Sequence, residues 1–146
     1  MPTALEVLQS KPVQVTHAVS PSMPLRDAAK LMDKENIGAV VALENGTILG
    51  LLTERDLVRQ VVAAGLSPNE LTVGDVMTPR VRFVKPAQSS EECMAVMTET
   101  RTRHLLVMEN GRMLGLISIG DLVKDIISEQ RHVISQLEHY ITNALI

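Results

Sequence analysis

The chain is almost without aromatic residues. It has no Trp, and Phe83 and Tyr140 are its only Phe and Tyr in 146 residues. That scarcity argues against nucleic-acid recognition by base stacking on aromatic platforms. Cys93 is the only cysteine, so an intrachain disulfide and a Cys-rich zinc site are both excluded. There is no excess of positive charge either. Fourteen Lys and Arg face 17 Asp and Glu, for a net charge of −3, which argues against a basic stripe for phosphate backbones. No apolar run approaches the ~18–20 residues that span a bilayer. The opening residues Met1-Pro2-Thr3-Ala4-Leu5-Glu6 lack the basic and long apolar regions of a secretory signal. A cytoplasmic protein without membrane or nucleic-acid partners is the expectation. Ser-His-Asp and Gly-rich phosphate-loop arrangements are also missing from the sequence.

What is present suits a folded domain. Apolar residues make up 45%, charged residues 21%, and the mean hydropathy is +0.14. The core must be aliphatic, built from Val, Leu, Ile, Ala and eight Met. The length fits one domain, or two small halves that share a core.

A repeat divides the chain. Residues 44–58 read ENGTILGLLTERDLV and residues 109–123 read ENGRMLGLISIGDLV, with nine of fifteen positions identical at an ungapped offset of 65. The offset extends back to Val19/Val84, Pro21/Pro86 and Met32/Met97. Each half predicts a short extended piece (Val15–Val19, Arg80–Val84) and then a helix (Pro24–Lys34, Ser90–Glu99). Pro24 suits a first helical turn, and Ser89 with Glu92 resembles a capping box. Asn45-Gly46 and Asn110-Gly111 each lie between two short apolar runs, which is a hairpin signal, because a type I′ turn needs positive φ at both central residues. A second helix starts near Glu54 or Ile119. Each half is therefore β-α-β-β-α in an α/β (α+β) protein. The expected division is repeat 1 over 12–64, a linker with a short helical turn over 65–79, repeat 2 over 80–128 and a C-terminal helix over 129–146. The hairpin strands are apolar almost throughout, which predicts sheets covered on both faces. Gly50 and Gly115, single glycines inside strands, are expected at close approaches of neighbouring groups.

Thr53-Glu54-Arg55-Asp56 and Ser118-Ile119-Gly120-Asp121 put a hydroxyl and a carboxylate three residues apart where a strand becomes a helix. One reading is structural: an N-cap hydroxyl with an acid in the first turn. The other is chemical: a carboxylate can accept both hydroxyls of a ribose. His132 and His139 share a helical face, but no carboxylate or Cys stands at ligand spacing, so no metal site is expected. Cys93 and most Met read as core residues.

The doubled unit, the Gly-h-h-Thr/Ser-x-x-Asp ending (h, apolar) and Val76-Met77-Thr78-Pro79 resemble the cystathionine-β-synthase (CBS) domain family in its tandem form, the Bateman module. The resemblance covers about residues 12–128 and is to small stand-alone bacterial members. It implies two clefts that bind adenosine nucleotides, AMP first, with ADP, ATP or NAD in the same class. In each, the carboxylate of Asp56 or Asp121 holds the ribose, and Thr53 or Ser118 lines the cleft. It implies further that each cleft is completed by the other repeat. Thr53, Arg55 and Asp56 would join Thr102, Arg103 and His104; Ser118 and Asp121 would join Ile37, Gly38 and Ala39. Residues around Val15-Thr16-His17 and Val81-Arg82 would lie near the base. On this reading Arg55 and Arg103 give only the Asp56 cleft a cationic clamp. Val41 and Leu106 stand where the family pattern often has Pro.

From Asp121 onward, Ile127, Gln130, Ile134, Leu137, Ile141 and Ala144 trace a seven-residue apolar seam broken by Gln130. A homodimer contact is the expectation there, and the resemblance agrees. The expected function is a regulatory, non-enzymatic nucleotide-binding module acting on a downstream protein that the sequence does not identify. The alternative is a constitutive scaffold with vestigial clefts.

Overall fold

The computed structural model describes residues 1–12 and 15–145. Val13, Gln14 and Ile146, which the expected boundaries of repeat 1 and of the C-terminal helix include, lie outside the described residues. The chain forms two compact units. One is Val15–Val81; the other joins Met1–Gln14 to Arg82–Ile146.

In the Val15–Val81 unit, β1 (Ala18–Val19) runs parallel to β2 (Ala39–Glu44), which pairs antiparallel with β3 (Thr47–Thr53). Helix α2 (Leu25–Glu35) makes the crossover from β1 to β2, the long connection that parallel neighbours require. Leu25, Ala28 and Met32 fall on one face of α2 and are buried against Val40, Ala42 and Leu52 of the sheet. A fully buried Leu such as Leu25 or Leu52 contributes roughly 1.5–3 kcal/mol. At the C-terminus of α2, Asn36 takes the left-handed conformation (φ 53°) and Ile37 N–H returns to Met32 O at 3.0 Å. That turn aims Ile37-Gly38-Ala39 into β2. Between β2 and β3, Asn45 and Gly46 both have positive φ (51° and 76°), the two-residue turn expected from the sequence.

The other unit repeats the plan with β4 (Phe83–Val84), α5 (Ser90–Thr100), β5 (His104–Glu109) and β6 (Arg112–Ser118). Asn110 and Gly111 form the matching turn (φ 52° and 75°). Cys93 and Met97 lie in its core with Val84, Leu105, Val107 and Ile117. In both hairpins the register slips at the same place, after Ala42 and after Val107. The Pro that the family pattern often carries would break a bond here. Val41 N–H donates to His17 O at 3.1 Å and Leu106 N–H to Arg82 O at 3.0 Å, and Pro has no N–H to give.

The last helices differ. After β3, α3 (Glu54–Leu57) gives way to a π-helical turn over Val58–Val62 and stops at Gly65 (φ 72°). After β6, α6 runs unbroken from Ile119 to Leu145.

The segment expected as a linker is partly structural. It holds a 3₁₀ turn (Pro68–Glu70) and α4 (Val73–Val76), and Val73 and Val76 are buried in the core of the Val15–Val81 unit. A capping box starts α4. The Thr72 N–H and hydroxyl both donate to Asp75 Oδ2 (2.9 and 3.0 Å), holding its carboxyl below the usual carboxylate range. Its counterpart is α1 (Ala4–Gln9), which the sequence reading left unassigned. Ala4 and Val7 are fully buried in the core of the other unit, as Val73 and Val76 are in theirs.

Candidate functional site

Both carboxylates sit where an outer hairpin strand turns into a helix, and both serve as caps there. Asp56 Oδ2 accepts the Thr53 N–H (2.9 Å) and hydroxyl (3.1 Å), while Asp56 N–H donates back to Thr53 Oγ1 (3.2 Å). Asp121 Oδ2 accepts the Ser118 N–H (2.8 Å), and Asp121 N–H donates to Ser118 Oγ (3.2 Å). The reciprocal cap uses the same oxygen, Oδ2, in each copy. The capping reading of the Thr/Ser-x-x-Asp sequence is thus correct as far as it goes, and it leaves each Oδ1 over.

What meets those carboxylates from outside the cap differs between the units. Thr78, just beyond α4, donates its hydroxyl to Asp56 Oδ1 at 2.9 Å. Its backbone is fixed by a two-way bridge with Leu51, both bonds 2.9 Å. Asp121 meets an ammonium. Lys11 Nζ lies 3.0 Å from Asp121 Oδ2 and donates to Leu116 O at 2.9 Å. The Asp121 site was expected to lack a cation; Lys11 supplies one, carried there by α1.

Within each unit, the segment leading into the inner hairpin strand lies beside the helix start of the same unit. Ala39 pairs with Thr53, and Glu54 N–H donates to Gly38 O at 3.0 Å. His104 pairs with Ser118, and Ile119 N–H donates to Arg103 O at 2.9 Å. Ile37, Gly38 and Ala39 are therefore gathered with Thr53, Arg55 and Asp56, and Thr102, Arg103 and His104 with Ser118 and Asp121. The reason is the antiparallel register of each hairpin. Thr53, Asp56, Ser118, Asp121, Thr102 and His104 are half-buried, while Arg55 and Arg103 are exposed. The concavity lined by Phe83, Pro86, Met108 and Asn110 is at the turn end of the β5–β6 hairpin, remote from Ser118 and Asp121. Among the described residues no cluster of three His, Cys, Asp or Glu could hold a metal ion, and no helix is long and apolar enough to cross a membrane.

The family model described as the CBS domain matches twice, over residues 6–63 and 73–128. The chain belongs to the CBS domain family. It is 44% identical to a CBS-domain protein from Burkholderia ambifaria put forward as a signal-transduction protein, with a TM-score of 0.84 over 88% of this chain and 96% of that one. A mitochondrial CBS domain-containing protein of Arabidopsis thaliana is 36% identical over 79% of this chain, which spans 58% of that protein's length. A hexameric CBS-CP12 protein from bloom-forming cyanobacteria is 26% identical, with a TM-score of 0.74 over 83% of this chain and 66% of that one. A CBS pair of this kind is a regulatory or signal-transduction module by type.

The two CBS matches begin just inside α1 and α4, the elements that deliver Lys11 and Thr78. A sequence signal for them exists. Thr3-x-x-Glu6-Val7-Leu8 and Thr72-x-x-Asp75-Val76-Met77 share one pattern, at an offset of 69 residues where the main repeat has 65. The difference of four hides it from an ungapped comparison.

Proposed function

We propose that this CBS pair is a regulatory module that binds adenosine nucleotides, AMP foremost and ADP, ATP or NAD in the same class, with the ribose hydroxyls donating to Asp56 and Asp121. One observation carries the reading. The same half-buried carboxylate stands at the same strand-to-helix junction in both units and uses Oδ2 for its cap, so that Oδ1 takes no part in the cap in either copy. A helix cap alone needs one acceptor oxygen. A ribose presents two adjacent hydroxyls, and hydrogen bonds from them to a charged acceptor contribute roughly 1.5–3 kcal/mol. The reading makes the pair a binding module without a catalytic step, whose response passes to a downstream protein.

We infer also that it acts as a homodimer through α6. Ile127, Ile134, Leu137 and Ile141 repeat at heptad spacing and are 43–56% exposed. A row of half-exposed aliphatic side chains over about four turns suits a partner helix. The hexameric cyanobacterial relative supports self-association within the family.

The test is thermal melting and calorimetry of nucleotide-free protein with adenosine, AMP, ADP, ATP and NAD. At 100 times its dissociation constant a one-site ligand adds ~2.7 kcal/mol, a rise in Tm of roughly 5–10 °C for a chain this size. Asp56→Asn and Asp121→Asn keep an oxygen for the cap and remove the charge, so each should abolish one binding event in a folded protein. If neither substitution alters the titration, the ribose does not lie on these carboxylates.

A further inference from the structure

Helix α1 is built into its unit firmly enough to make Lys11 a fixed charge. Ala4 and Val7 are fully buried. Leu8 packs so close to Gly115 that a Cβ there would lie 2.6 Å from Leu8 Cδ1. Ser10 Oγ donates to Asp125 Oδ1 at 3.2 Å, one turn along α6 from Asp121. Held this way, the Lys11 ammonium is shared between Leu116 O and Asp121 Oδ2 at the end of β6. In the other unit the segment after α4 delivers a hydroxyl, that of Thr78. The segments after α4 and α1 thus present a neutral donor to Asp56 and a cation to Asp121, from positions that are not equivalent: at the 69-residue offset Thr78 matches Gln9, and Lys11 matches Arg80.

The electrostatic consequence is direct. A bare carboxylate is a strong acceptor for a diol, and its field opposes a phosphate on the same ligand. An ammonium on the carboxylate weakens it as an acceptor and cancels that field, so the repulsion of a phosphate on the same ligand is removed.

We propose that Lys11 is the specificity-determining residue of the Asp121 site, making it select a vicinal-diol ligand that carries phosphate charge over the uncharged nucleoside. The proposal rests on the nucleotide reading above and assigns the two sites different ligand charge. The probes are AMP and adenosine, titrated by calorimetry at low salt into the Asp56→Asn protein, in which the Asp121 site remains. Lys11→Gln in that background should lower the ratio of AMP affinity to adenosine affinity roughly fivefold to tenfold, the order of one charge-assisted contact. Lys11→Arg should restore most of the ratio. Ser10→Ala loosens α1 without touching the charge and should leave the ratio unchanged. A ratio unaffected by Lys11→Gln, or lowered equally by Ser10→Ala, overturns the proposal while leaving nucleotide binding intact. If the Asp56→Asn protein binds neither probe, the nucleotide reading of the Asp121 site and this proposal fall together.

Discussion

Gly50 and Gly115 occupy equivalent places in β3 and β6, yet the same substitution should cost the protein different amounts. Neither has positive φ, so Ala is allowed by the backbone at both. The difference is in what a Cβ meets. At Gly50 it would come within 2.7 Å of Met77 Sδ and 2.8 Å of the Thr78 carbonyl oxygen. Met77 can rotate away, but Thr78 O cannot move without breaking its 2.9 Å bond from Leu51 N–H. At Gly115 the three nearest atoms all belong to the Leu8 side chain, the closest at 2.6 Å, and a side chain can change rotamer. Overpacking costs about 1–3 kcal/mol, and Gly→Ala returns about 0.4–1 kcal/mol by narrowing the unfolded ensemble. Gly50→Ala should therefore lose about 2 kcal/mol and Gly115→Ala about half as much. Urea denaturation resolves this, because with a slope of about 2 kcal/mol/M the midpoints fall by ~1 M and ~0.5 M. Gly50→Ala should also shift the Thr78 hydroxyl off Asp56 and change nucleotide binding at that carboxylate, leaving the Asp121 site as it was. If Gly115→Ala is the more damaging of the two, the distinction between a backbone wall and a side-chain wall is wrong.

Three further outcomes follow from the same structure. Leu137→Glu, in the middle of the exposed α6 seam, should convert the proposed dimer to monomer in sedimentation velocity with the Tm lowered by no more than a few degrees; an unchanged sedimentation coefficient would exclude α6 as the contact. Burial, with Glu92 nearby, pushes the Cys93 thiol up from its ordinary 9.0. The unfolded chain then binds fewer protons than the folded one above about pH 9, so stability falls as pH rises from there, by at most ~1.4 kcal/mol per pH unit for one proton. Cys93→Ala should remove that part of the slope, and urea midpoints between pH 8 and 10.5 measure it. Asp56→Ala should lose about 1 kcal/mol more than Asp56→Asn, because it leaves the Thr53 N–H without its acceptor; equal urea midpoints would mean the cap contributes nothing.

The hairpins were legible because Asn-Gly at a two-residue turn has few other solutions, and because an offset of 65 places both turns, both strand glycines and both carboxylates at once. Helices α2 and α5 came within a residue or two of their observed bounds for the same reason: Leu25, Ala28 and Met32, like Cys93 and Met97, mark a buried face. The CBS fold followed from those features together. What could not be read was the partner of each carboxylate. Lys11 reaches Asp121 across 110 residues of chain, and no local period encodes that meeting. The linker reading of 65–79 came from its Pro, Gly and Ser content. Composition could not show that Val73 and Val76 would be drawn into the core, or that Thr78 would be carried with them to Asp56.

Duplication of this unit fixed the frame and left the charges free to diverge. The frame is the part that the backbone demands: a hydroxyl and a carboxylate that cap each other at the start of a helix, and a glycine where another segment crosses the strand. Changing either costs stability in each copy, so neither is a convenient place to tune a ligand. The residues beyond α1 and α4 carry no such burden. Thr78 and Lys11 meet their carboxylates through side-chain tips alone, and neither is one of the groups that the cap itself joins. On the proposed nucleotide reading, two sites with one capping geometry can in this way answer to ligands of different charge. The place to look for that difference in a CBS pair is the segment ahead of each repeat, beyond the Gly-h-h-Thr/Ser-x-x-Asp pattern that makes the repeats recognisable.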